Sequence, residues 1–151
     1  MSIRDAMMFL NEDLSAIIGA TTTYSDTLDF GATASMDPGI GTQQYININF
    51  GPDTVADTNM TFAITVVEGT TATPTTTGYI LITPTYTKAQ FDTAKALNKD
   101  AGVNICIPLP PRRVQLRYLR LKIVTTTAGW TAGTINAWLS SAPTWTDLVF
   151  V

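Results

Sequence analysis

A chain of 151 residues, 45% of them hydrophobic, is long enough to bury one core, so a single domain over residues 1–151 is expected. Only 14% of the residues are charged, against roughly 25% in an average soluble protein, and the formal net charge of −3 argues against nucleic-acid binding, which needs a basic excess. Histidine is absent and Cys106 is the one cysteine, so His-dependent triads, His-ligated zinc and an intrachain disulfide are all excluded.

The chain opens with Ala6-Met7-Met8-Phe9-Leu10, an apolar stretch interrupted by Asp5 before it and Asn11-Glu12-Asp13 after it. Those charges break the pattern of a signal peptide, and nothing elsewhere approaches the ~20 apolar residues of a membrane span. Synthesis in the cytoplasm is therefore expected, with the Asn59-Met60-Thr61 sequon accidental. Residues 1–15 read as an N-terminal arm that either packs back over the domain or inserts into a neighbour.

Beyond the arm, short runs alternate with a period of two, the mark of half-buried strands. In Tyr45-Ile46-Asn47-Ile48-Asn49-Phe50 the alternation sends Ile46, Ile48 and Phe50 to one face, and Gly51-Pro52-Asp53 ends the run. Residues 61–68 repeat the pattern with Phe62, Ile64 and Val66 inward, residues 69–78 form a threonine-rich loop, and residues 79–83 are a shorter strand. Residues 87–101 break the period: Thr87 caps a helix with Gln90 three positions on, Phe91, Ala94 and Leu97 fall near one face, and Gly102 supplies a stop.

Strands resume at residues 103–108 and again at 118–124, where Leu119, Leu121 and Ile123 alternate with Tyr118, Arg120 and Lys122. A last strand covers residues 134–139, after a turn around Gly129 and Gly133. Seven or eight short strands with long connections predict an all-β fold, an antiparallel β-sandwich of jelly-roll or Greek-key type with at most one short helix.

No motif carries catalytic chemistry. Cys106 lies in Asn104-Ile105-Cys106-Ile107 with no basic neighbour in sequence to activate it and reads as a buried structural thiol. Asp26, Asp29, Asp37, Asp53 and Asp57 fall in turn-like segments, where aspartate belongs. No EF-hand spacing or dinucleotide fingerprint occurs, so no catalytic residue, metal or cofactor is expected.

Contact chemistry is better represented. Of the nine basic residues, Arg112, Arg113, Arg117, Arg120 and Lys122 crowd into one stretch of an otherwise acidic chain, either as a solvated strand face or as a docking surface. Trp138 alternates out of phase with Ile135, Ala137 and Leu139, which sets it on the outer face as an interface residue or beneath a covering segment. Met7 and Phe9 of the arm complete the set of candidate interface residues. A weakly charged surface rich in threonine and asparagine also suits burial in an assembly, because neutral hydroxyls and amides are less costly to desolvate than charges.

Four segments in order, the Met8-Phe9-Leu10 arm, Thr27-Leu28-Asp29-Phe30-Gly31, Arg117-Tyr118-Leu119-Arg120-Leu121 and Gly133-Thr134-Ile135-Asn136-Ala137-Trp138-Leu139, span most of the chain. In this pattern the chain resembles the small jelly-roll cement (decoration) proteins of tailed-phage heads, of the type described from a Bordetella phage. The threonine-rich loop and the helix are not part of the match. The resemblance implies a virion protein on the outer capsid surface that bridges neighbouring major capsid protein subunits, with a homo-oligomer as its working form. Symmetry statistics favour a dimer. The competing reading is a carbohydrate-binding jelly roll, lectin-like or receptor-binding, with aromatic residues stacking on sugars. An enzyme acting on polysaccharide through paired carboxylates is the weakest of the three.

Overall fold

The computed structural model describes residues 9–15, 22–29, 43–74, 79–82, 85–98, 101–109, 117–141, 143 and 147. The strands are β1 (Phe9–Ser15), β2 (Thr22–Tyr24), β3 (Leu28–Asp29), β4 (Tyr45–Phe50), β5 (Val55–Ala56), β6 (Thr61–Gly69), β7 (Tyr79–Ile82), β8 (Tyr86–Thr87), β9 (Val103–Pro108), β10 (Tyr118–Thr126), β11 (Trp130–Ala132) and β12 (Thr134–Ser140). One helix, α1 (Lys88–Leu97), joins β8 to β9. The fold is the expected antiparallel β-sandwich, with a single short helix among the described residues.

Its strand order is that of a jelly roll. One sheet runs β1-β12-β4-β9; the other runs β2-β10-β6-β7, with β3 continuing the β2 edge along β10 and β8 continuing the β7 edge along β6. The pairs β1 with β12, β2 and β3 with β10, β4 with β9, and β6 with β7 and β8 are nested in sequence, like a long hairpin wound around a barrel. The links that carry β5 and β11 pair with each other outside the two sheets.

Alternation places the core. Ile46, Ile48 and Phe50 of β4, Val103, Ile105 and Ile107 of β9, and Ile135, Ala137 and Leu139 of β12 face Phe62, Ile64 and Val66 of β6 and Leu119, Leu121 and Ile123 of β10 in one buried cluster. The phase read from sequence for β4, β6, β10 and β12 is the phase observed, since a slip of one residue would turn each apolar set to water.

Aromatic rings fill one end of the sandwich. Phe50 lies 5.6 Å from both Phe62 and Phe91 and 5.0 Å from Trp130, centroid to centroid. Tyr86 stacks at 5.2 Å on Phe62, and burial pushes its phenol above its ordinary pKa. Helix α1 closes this end by burying Phe91 and Ala94.

The helix starts where its cap predicts. Thr87 is extended (φ −99°, ψ 158°), its Oγ1 accepts from the Gln90 N–H, and Gln90 Oε1 accepts in return from the Thr87 N–H at 2.9 Å. We expect Thr87→Ala to cost about 1 kcal/mol, seen as a lower urea midpoint at unchanged slope. The end differs from the sequence reading: the helix stops at Leu97 rather than at residue 101, and Leu97 is 79% exposed instead of facing the core. Gly102 at φ +76° redirects the chain into β9.

Of the two fates expected for the arm, its described part packs on the domain, and one expectation, that for Cys106, is corrected. Half of the arm is strand: β1 forms the edge of its sheet, with Phe9 opposite Trp138 and Leu14 opposite Ile135, through two register shifts that hide the period of two. Cys106 is half-buried rather than buried, because the alternation that sends Ile105 and Ile107 inward sends Cys106 outward.

Candidate interaction surface

Strand β10 lies inside its sheet between β2/β3 and β6, and its outward residues are Tyr118, Arg120, Lys122 and Val124. Registration sets Lys122 between Tyr24 and Thr65, and Arg120 opposite Val67. The edge beside it bends at Ser25: the Ser25 N–H donates to the Leu121 carbonyl at 3.0 Å, and Ser25 Oγ accepts from the Leu121 N–H at 2.8 Å. That exchange keeps β2 and β3 attached to one strand and brings Tyr24 and Asp29 to the basic side chains.

The basic residues then divide. Arg120, though on the outward side, is 8% exposed: its Nε donates to the Pro74 carbonyl at 2.5 Å, and its guanidinium sits 3.9 Å above the Tyr24 ring. The threonine-rich loop makes this possible by folding back over β6 until Pro74 packs directly on Gly69, where a Cβ would come within 2.6 Å. Arg120 therefore ties the loop, through the Pro74 carbonyl, to the Tyr24 ring.

Arg117 stays at the surface. Its Nε and Nη2 donate to Asp29 Oδ1 and Oδ2 at 2.7 and 2.8 Å, a bidentate fork, and its guanidinium lies 4.8 Å from the Tyr118 ring. The hydrogen bond to Asp29 raises the Arg117 pKa above its ordinary value, so this residue carries its charge at any working pH. Lys122 is half-buried beside Tyr24. Arg112, Arg113 and Met7 lie outside the described residues.

On the opposite side of the sandwich, Trp138 is half-buried on the outer face, in a row with Phe9 of β1 and Asn47 of β4. Asn47 is completely buried although it also points outward, so this face is closed over at its middle. The next row holds three amides, Asn136, Asn49 and Asn104, in which Asn49 Nδ2 donates to Asn104 Oδ1 at 2.8 Å and to the Ala101 carbonyl at 2.9 Å.

The structure thus places the sequence candidates on two faces: Arg117, Arg120 and Lys122 on the β2/β3-β10-β6 face, Phe9 and Trp138 on the other sheet. Tyr24 and the pinning by Pro74 escaped the sequence reading. Alternation assigns Arg120 and Lys122 to the same side, and no local signal distinguishes the one that a distant loop will cover. Among the described residues no group of three or more His, Cys, Asp or Glu could hold a metal ion, and no helix is long and apolar enough to cross a membrane. No protein-family model matches the chain, and a search of curated proteins finds no relative.

Proposed function

We propose that this chain is a non-enzymatic virion structural protein: a cement protein, made in the host cytoplasm, that binds the outer surface of an assembled tailed-phage head and bridges neighbouring major capsid protein subunits. The observation that carries the reading is the patch of Tyr24, Tyr118, Arg117 and Lys122, whose tyrosine and arginine content is that of protein interfaces and whose geometry is held in advance by Arg120 and Asp29. Fixed side chains lose little conformational freedom on docking. A cement stabilises by linkage: binding only the assembled shell favours that shell, and contacts repeated by symmetry add through avidity. A homo-oligomer, with a dimer favoured, belongs to the same proposal, and light scattering at high micromolar concentration tests it; a monomer there counts against it.

The docking test uses Arg117→Ala/Lys122→Ala on heads lacking the protein, with occupancy measured at low and high salt. Arg120 is left intact because its loss would disturb the loop as well. Occupancy should fall, with most of the loss in the association rate and less of it at high salt. Occupancy equal to wild type at both salts, with an unchanged thermal midpoint, would reject this face and direct attention to Trp138.

A further inference from the structure

Arg120 and Lys122 stand two residues apart on β10 and point to the same side of the sheet. The Arg120 guanidinium is buried, and its contacts are the Pro74 carbonyl and the Tyr24 ring. Both are neutral dipoles, which solvate the cation without cancelling its charge. Lys122 is half-buried between Tyr24 and Thr65, two more neutral side chains. Among the described residues the ion pairs are Lys88 with Asp92 and Arg117 with Asp29, and neither includes Arg120 or Lys122.

A buried cation is poorly screened by water, so its potential adds to that of the ammonium beside it and favours an anion on this face. Arginine's planar fork is the better reader of a carboxylate, but the Arg117 fork is already taken by both oxygens of Asp29. Lys122 is then the half-exposed cation whose charge is unmatched among the described residues of the face. Its ammonium is a compact point charge with three donors, suited to one carboxylate. A nucleic-acid backbone would call for a row of such cations. The half-buried Tyr24 ring alongside supplies apolar area for the methylene stem of an acidic side chain.

We infer that Lys122 is the residue through which this face reads an acidic partner protein: an Asp or Glu of the partner docks on its ammonium beside Tyr24, in the field of Arg120. Arg117 is a positioning residue, which ties β3 to β10 through Asp29 and lies against Tyr118. The inference deepens the proposed docking reading and rests on it for the partner being a capsid subunit; the acidic chemistry follows from the unmatched charge.

The test uses Lys122→Gln, which keeps most of the stem and removes the charge, and Arg117→Gln/Asp29→Asn, which removes both charges of the fork together. On heads lacking the protein, Lys122→Gln should weaken binding about 10-fold and flatten its salt dependence. The double variant should keep the salt dependence of wild type, and so should Lys122→Arg. A short polyglutamate peptide should shift the Tyr24 ring and Lys122 side-chain signals of the free wild-type protein by nuclear magnetic resonance, and the Tyr24 shifts should vanish in Lys122→Gln. Should Lys122→Gln lower the thermal midpoint, Lys122→Met serves, since it restores apolar packing beside Tyr24 without charge. Wild-type protein that leaves heads bare rejects the capsid reading, and the peptide titration then decides the inference by itself. Undiminished salt dependence in Lys122→Gln, a flattened one in the double variant, or peptide shifts that survive Lys122→Gln overturns the inference.

Discussion

Phe50→Ala should lower the stability of this protein by about 3–5 kcal/mol, a large share of the ~5–15 kcal/mol that holds a domain folded. The ring is completely buried at the end of β4 and touches both sheets and the helix: Phe62 from β6, Trp130 from β11 and Phe91 from α1 all lie within 5.6 Å of it, centroid to centroid. Its removal leaves a space walled by three stiff rings from three elements, none of which can move in without giving up its own contacts. The midpoint of thermal unfolding should fall by roughly 6–20 °C. Phe50→Leu, which keeps most of the volume, should cost less than half as much. A Phe50→Ala variant within about 1 kcal/mol of wild type would mean that the aromatic cluster contributes far less than its burial indicates.

Gly102→Ala should be comparably damaging for a different reason. The residue sits between the end of the helical segment and β9 at φ +76°, a left-handed conformation that costs any L side chain about 1–2 kcal/mol. Space is also lacking, since a Cβ there would come within 2.0 Å of the Phe50 carbonyl oxygen and 3.0 Å of two backbone carbons. The obstacle is main chain of a core strand, not a side chain that could swing aside. Relief requires shifting β4 against β9, which also disturbs the Phe50 ring. A loss on the order of 3 kcal/mol or more is expected in urea unfolding. Gly133, at φ +111° with Thr54 Cα 2.2 Å from a built Cβ, should behave alike, whereas Thr71→Ala, at an exposed position of the threonine-rich loop, should remain near neutral.

How these sites came to be legible differs from one to the next. Strands β4, β9, β10 and β12 could be read because each carries an uninterrupted period of two, and burial on one face alone enforces it; β4 and β9 were read to the residue. The N-cap at Thr87 could be read because capping is a contact between residues three apart, which needs no tertiary structure. By contrast β1 carries Asn11, Glu12 and Asp13 in succession and becomes a strand only because β12 offers it an edge. The short β2, β3, β5, β8 and β11 are too brief for any period to show.

The candidate interface residues divide along the same line. That Arg120 and Lys122 belong to a β-strand, and that Trp138 points away from the core beside Ile135, Ala137 and Leu139, was determined by the sequence through local alternation. The tertiary structure alone decided that Arg120 would be locked between Pro74 and Tyr24, that Arg117 would be held by Asp29 at a separation of 88 residues, and that Asp147 would bond both main-chain groups of Asn104. The reason is physical: the facing direction of a side chain follows from the backbone repeat of its own strand, whereas its burial and its partner depend on which distant segment the winding of the jelly roll lays across it.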